Sequence, residues 1–355
     1  MKHPLTVLLA GALIACPPAH AQKDGQPPLK VEASSAKQWT GVAISSDGRL
    51  FVNYPYWSDN VPVSVAEIKD GKAVPYPSPE WNDRTSDAHF NAVQSVVIDA
   101  KDRLWVLDTN NPQFKGVQKQ GPVLYQIDLK TNQKVKAYPF PEGVYRPNSY
   151  FNDVRIDTES NVAYLTDSGN GALIVLDLKS GESRRLLEGH PSVKSELDQL
   201  VCDGVVWKNS VDADGIALTP DRQYIYFIAL TSHTLYRVET AALTNPELSP
   251  DELAEQVEQV AKVPATDGMM FDSTGNLWLG GLETNSINQL HPDHKVSEVL
   301  QAPSIRWADS FAIGRDGRIY FTTSQIHIPE DKRQQYQVLS FTPADPADTT
   351  APPEP

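Results

Sequence analysis

The stretch ATDGMMFDSTGNLWLGGL, residues 265–282, sets an aspartate and a glycine ahead of an apolar run, a turn and a second apolar run. The first run is apolar on both parities, which is the pattern of a strand buried on both faces. Five more segments repeat it: GVAISSDGRLFV from Gly41, SVVIDAKDRLWV from Ser95, DVRIDTESNVAYL from Asp153, GIALTPDRQYIYF from Gly215 and SFAIGRDGRIYF from Ser310. With Ile44, Ile98, Ile156, Leu218, Phe271 and Ile313 taken as equivalent, the steps are 54, 58, 62, 53 and 42 residues. Each interval leaves room for two further strands, as where ALIVLDL (172–178) and ESRRLLE (182–188) follow the third segment. Four strands per unit, repeated six times with little helical periodicity, predict an all-β, six-bladed β-propeller.

The chain ends fit that frame. The last unit runs short, since only YQVLSFT (336–342) reads as a strand after Ile319–Thr323. PLKVEAS (28–34), within an N-terminal segment 22–37, is expected to supply the missing strand and close the ring, with the propeller over 38–342 and a disordered Pro/Ala-rich tail over 343–355. One helix is expected, over Ser249–Ala261, with Ser at N-cap and Pro at N1.

Residues 1–21 read as an export signal: Lys2, an apolar run from Leu5 to Cys16 too short to span a bilayer, and Ala19-His20-Ala21 as the cleavage site. Pro17 and Pro18 break the run just upstream and favour cleavage after Ala21, with lipidation of Cys16 as the alternative route to the membrane. The expected product is periplasmic or secreted, and a monomer. Losing residues 1–21 removes Lys2 and no other charged residue, so the net charge moves from −14 to −15 and argues against nucleic acid or anionic membrane as partner. Only Cys202 is left in the processed chain, which allows no internal disulfide, and it reads as a small buried hydrophobe.

In a propeller the first strand of each blade lines the central channel, and its leading residue lies at one end of that channel. Those residues are Thr40, Gln94, Asn152 with Asp153, Asp214, Asp267, and Asp309 with Ser310. Taken singly, Asp-Gly and Asn-Asp are ordinary strand-entry residues. Converging on one axis, they form a small-molecule site whose carboxylates need a cation, a proton or a basic ligand group to offset them. A divalent cation with oxygen ligands fits such a set, Ca²⁺ first and Mn²⁺ or Mg²⁺ next. The Asp-Gly pairs at 47–48 and 316–317 lie between strands and read as hairpin turns. Thr166-Asp167-Ser168-Gly169 reads as a turn and His291 and His294 as surface, while His89, His233 and His327 are acid/base candidates. No nucleophile elbow or phosphate-cradling glycine loop is present in the sequence.

The stretches FNAVQSVVIDAKDRLWVLDT (90–109), YFNDVRIDTESNVAYLTDSGNGALIVLDLKSGESRRLL (150–187) and DGIALTPDRQYIYFIALTSHTLYRV (214–238) resemble the major royal jelly protein and yellow protein family, as do VPVSVAEI (61–68) and PYPSPEWN (75–82). The resemblance spans roughly 38–342 and implies a secreted propeller whose axial pocket binds small molecules. Members of that family include proteins linked to dopachrome conversion and others that bind biogenic amines, and bacterial members are related to dopachrome tautomerase. On that reading an axial carboxylate receives an amine or moves a proton on an aminochrome. Phe151, Trp307 or the Tyr54–Trp57 stretch would stack on the ring and Gln94 or Asp309 would hold its polar groups, while Arg146 and Arg306 would grip a carboxylate or, by preference, pair with Asp153 or Asp309. A more distant resemblance, to gluconolactonase and regucalcin-like propellers, implies a metal-dependent lactonase. There Asn152 and Asp214 fall on amide ligands and Asp267 on the catalytic aspartate, while the ligand glutamate falls on Thr40. A binding protein without catalysis is the third possibility.

Overall fold

The computed structural model describes residues 25–59, 61, 63–86 and 89–343. The expected signal segment, Cys16 and all but the first residue of the C-terminal tail lie outside these residues. Six four-stranded antiparallel sheets follow one another along the chain. Their innermost strands are Val42–Ile44, Val93–Ile98, Phe151–Asp157, Ala213–Leu218, Met269–Phe271 and Ala308–Ile313. Each of these packs against the next and the sixth returns to the first, so the blades close into a propeller around one axis. Six apolar clusters fill the spaces between successive blades. Side chains such as Phe51, Trp105, Phe227 and Phe321 are fully buried there, each removing apolar surface worth about 1.5–3 kcal/mol from water.

The sixth blade takes its outer strand from the start of the chain. Lys30–Ser35 pairs antiparallel with Tyr336–Phe341, from Lys30 opposite Ser340 to Ser35 opposite Tyr336, with a bulge between Val31 and Ala33. Two side-chain bonds reinforce the seam: Ser340 Oγ donates to Glu32 Oε1 at 2.6 Å and Trp39 Nε1 to the Gln337 carbonyl at 3.3 Å.

A recurrent aspartate ends several inner strands, and its work is local. Asp99 accepts from the Lys101 and Arg103 amides and from Trp105 Nε1 at 2.7 Å, and Asp272 accepts from the Thr274 and Asn276 amides and from Trp278 Nε1 at 2.9 Å. One carboxylate therefore satisfies the turn and docks the indole of the following strand.

The expected helix over 249–261 is corrected by the structure. A single turn, Pro250–Ala254, is helical, held by a capping box between Ser249 and Glu252, and Glu258–Lys262 is the outer strand of blade four. Pairing with Thr234–Arg237 completes that sheet and outweighs the helical propensity of the segment. Between blades three and four the chain inserts residues 187–212, which include the hairpin Leu200–Cys202 and Val205–Trp207. Leu200 and Cys202 pack onto Leu230, Ala265, Leu282 and Trp307 and lay the hairpin over later blades. Burial pushes the Cys202 thiol up to about 12, so it serves as a hydrophobe. No helix among the described residues is long and apolar enough to cross a membrane.

Candidate functional site

The glycines that follow Asp214 and Asp267 are imposed by blade packing. A Cβ on Gly215 would lie 2.3 Å from the Asp267 carbonyl oxygen, and one on Gly268 2.2 Å from that of Asp309. Inner strands of neighbouring blades thus touch backbone to backbone, and the Gly268 amide donates to the Asp309 carbonyl at 2.5 Å. The residue just before this contact is carried to the mouth of the channel. Gln94, Asn152, Asp214, Asp267 and Asp309 accordingly line one cavity of about 860 Å³. Thr40 joins the ring differently: its hydroxyl is bound to the Gln94 carbonyl at 3.3 Å and to Asn53 Nδ2 at 3.0 Å.

Three carboxyl groups on that floor are almost wholly buried, and burial disfavours their charged forms. Asp214 is held well above the ordinary carboxylate range, first by burial and then by the charges of Asp267, Asp153 and Asp309. Asp309 is raised in the same way, by burial and then by Asp267. Burial carries Asp267 up to about 7, against the pull of the Trp307 indole, whose Nε1–H donates to Asp267 Oδ2 at 2.7 Å. Asp214 and Asp267 interact side chain to side chain, which raises Asp214 further and works against the rise of Asp267. The Trp307 indole, bound to Asp267 and not to Asp214, separates the two. Deeper on the axis Asp153 accepts from Ser95 Oγ at 2.9 Å and faces Arg155 Nη2 at 3.4 Å. Arg155 crosses to the Met269 carbonyl of blade five at 2.7 Å.

An aromatic stack rises from the floor on the side of the early blades. Phe114 lies between Tyr150, at 4.8 Å and 28°, and Trp57, at 5.9 Å and 30°. Tyr150 accepts from Trp57 Nε1 at 2.6 Å and donates to Gln94 Oε1 at 2.7 Å, which ties the stack to the axial ring. Phe114 is 60% exposed and has a positive φ of 55°. That left-handed backbone is strained for a bulky residue, and the ring lines the cavity. Trp207 and Val211 of the insertion, with Leu230 and Ile326, form the apolar side of the later blades.

Several expected ligand contacts fall elsewhere. Phe151 is fully buried between blades two and three, edge-on to Phe140 at 5.0 Å, because successive strand residues point to opposite faces and Asn152 takes the channel side. Arg146 points outward and pairs with Glu188 at 2.5 Å. Trp307 is fully buried beneath the hairpin, edge-on to Trp207, and reaches the site only through Asp267. Arg306 faces Asp203 at 3.7 Å rather than an axial acid. Tyr54 is core, Tyr56 lies under Arg84, and of that stretch Trp57 alone lines the cavity. His89 bonds to the Ser86 carbonyl, His233 to Glu283, and His327 stacks on Trp307 and meets Asp203, so none reaches the floor. The residues that sequence reasoning missed are Tyr150, Phe114, Trp207, Lys37 and Arg333. Tyr150 was legible from the same alternation, two residues before Asn152, whereas the others sit on loops of unequal length. Among the described residues no three His, Cys, Asp or Glu side chains are grouped to hold a metal ion.

The major royal jelly protein family model matches residues 91–340 of the chain. Protein yellow of Drosophila madeirensis is 27% identical over 232 residues, covering 57% of this chain and 39% of that protein. Major royal jelly protein 3 of Apis mellifera is 26% identical over 258 residues, covering 64% and 47%. The chain thus spans less than half the length of the curated relatives it matches. A gluconolactonase from Xanthomonas campestris superposes with a TM-score of 0.56 at 13% identity, covering 90% of each chain. Virginiamycin B lyase from Staphylococcus aureus does so at 0.51 and 13%, covering 88% and 99%. At these identities the two structures speak to the propeller fold alone.

Proposed function

The chain belongs to the major royal jelly protein family, and on that premise we propose that its axial well binds a small aromatic amine or aminochrome and moves protons on it. The observation that carries this reading is the Asp214–Asp267 pair. Burial holds Asp214 well above the ordinary carboxylate range and carries Asp267 up to about 7, and both lie on the floor of a cavity walled by aromatic rings. Such a pair suits general acid/base work at neutral pH. Conversion of an aminochrome to a dihydroxyindole moves protons from saturated ring carbons to quinone oxygens, so substrate and product are isomers and no oxidant is needed. Asp267, as carboxylate, takes a carbon-bound proton. Asp214 delivers its own proton to an oxygen, which gives the quinone methide tautomer; proton passage from Asp267 to Asp214 resets the pair, and a second round moves the second carbon-bound proton to the other oxygen. Phe114 and Trp57 hold the ring by stacking, which also suits a protonated amine.

The test is turnover of an aminochrome by the purified full chain, followed as loss of the visible quinone band. Asp267→Asn should lower kcat by about a hundredfold or more while its thermal midpoint does not fall. Equal turnover in the variant would overturn the acid/base role. Binding without turnover in the wild type would leave a ligand-binding protein. A rise in the wild-type midpoint on adding Ca²⁺, Mn²⁺ or Mg²⁺, lost in Asp267→Asn, would replace the shared proton with a cation held by Asn152, Asp214 and Asp267.

A further inference from the structure

The insertion between blades three and four carries a hairpin whose tip is fastened to blades five and six. Asp203 and Gly204 make its two-residue turn, both at positive φ, 52° and 73°, as a tight hairpin turn requires. The Asp203 carboxylate accepts from His327 Nε2 at 3.1 Å, on the loop after the second strand of blade six, and from Asn285 Nδ2 on a turn of blade five. It also faces Arg306 Nε at 3.7 Å, just ahead of the inner strand of blade six. The His327 side chain is fully buried, and among the described residues its Nδ1 has no partner, so Asp203 is what anchors the ring. The imidazole lies against the Trp307 indole, centroids 5.7 Å apart and planes within 17°, and Trp207 of the same hairpin meets that indole edge-on at 4.9 Å. Trp307 in turn donates to Asp267 Oδ2 at 2.7 Å. Its left-handed backbone, φ 62°, is not one that a bulky residue adopts by local preference, so the flanking rings must hold it. The hairpin places both of them, Trp207 as part of itself and His327 through Asp203.

We propose that Asp203 is a positioning residue for the axial acid/base pair: it docks the hairpin tip and orients His327, and so holds Trp307 where its Nε1–H reaches Asp267. The inference rests on the reading of Asp214 and Asp267 as that pair and adds an element outside the repeat that sets it. The charges around the relay fall into two groups. Asp203, Arg306 and Arg333 act on His327, whereas Asp153, Asp214 and Asp309 surround Asp267. Asp203 stands in the first group and reaches Asp267 through the two rings. Because Trp207 also walls the well, the surface that meets a ligand and the contact that tunes the base belong to one hairpin.

The test reads the titration midpoint of Asp267 by carbon-13 carboxyl NMR of the aspartate-labelled full chain, which needs no substrate. The wild-type midpoint should lie at about 7. Asp203→Ala removes the anchor of His327, and a carboxylate that loses its donor titrates higher, so the midpoint should rise by about 0.5–2 pH units. Asp203→Asn keeps an acceptor oxygen for His327 and should restore the wild-type midpoint, which a role of the Asp203 charge alone would not allow. His327→Leu removes the stacked ring and should move the midpoint in the same direction as Asp203→Ala, so it carries the test if that variant does not fold. A wild-type midpoint of about 7 that neither Asp203→Ala nor His327→Leu moves, or equal shifts in Asp203→Asn and Asp203→Ala, would overturn the inference and leave the acid/base pair in place. A wild-type Asp267 that titrates below about pH 5, in the ordinary carboxylate range, would defeat the acid/base reading and this inference with it.

Discussion

Trp307 is fully buried, holds a left-handed backbone at φ 62° and spends its only donor on Asp267. That conformation costs a bulky residue about 1–3 kcal/mol, so the surroundings must fix it, and Trp207 and His327 do so from two sides. Its consequence is chemical. A hydrogen bond to a carboxylate favours the charged form and lowers its pKa, so Trp307 separates Asp267 from Asp214 and, in the proposed function, makes Asp267 the base. Trp307→Phe removes the donor and keeps most of the volume. The folded-state pKa of Asp267 then rises above about 7, and activity that needs its carboxylate appears only at higher pH. The low-pH limb of the pH–rate profile should move up by about one to two units, the size of a hydrogen bond to a charged group. A limb that stays in place would remove Trp307 from the mechanism and leave it as packing.

At the scale of the element, the inner strand explains both what could be read in the sequence and what was misread. Asp214-Gly215 and Asp267-Gly268 were legible because each glycine marks a backbone contact between blades and each aspartate precedes it by one residue. Gly268→Ala should therefore cost about 1–3 kcal/mol, seen as a lower thermal midpoint, because the added Cβ meets the Asp309 carbonyl rather than a movable side chain. An unchanged midpoint would mean that the inner strands do not approach as closely as described. The choice of Phe151 beside Asn152 failed on the two-residue period of a strand, which puts Tyr150 and not Phe151 on the channel side. The helix expected over 249–261 failed because a blade that lacks its outer strand exposes a row of unpaired backbone groups, and Glu258–Lys262 was the segment at hand to cover it.

At the scale of the whole molecule, repetition made the fold readable: six copies of one strand–turn–strand pattern located the blades, and their equivalence located the floor of the well. The walls break the repeat. Trp57, Phe114, Trp207, Lys37 and Arg333 come from connections between strands and from an insertion in a single blade gap, so no periodicity points to them and only the assembled ring brings them together. The molecule thus divides its labour, with near-symmetric strands that gather carboxyl groups on an axis and asymmetric loops that choose what meets them. The central claim is that the axis holds a proton exchangeable near neutrality. Carbon-13 carboxyl NMR of aspartate-labelled full chain, titrated from pH 4 to pH 9 beside Asp267→Asn, tests it directly. The account predicts a carboxyl resonance with a midpoint at about 7 that is missing from the variant. Aspartates that all titrate below about pH 5, within the ordinary carboxylate range, would contradict it.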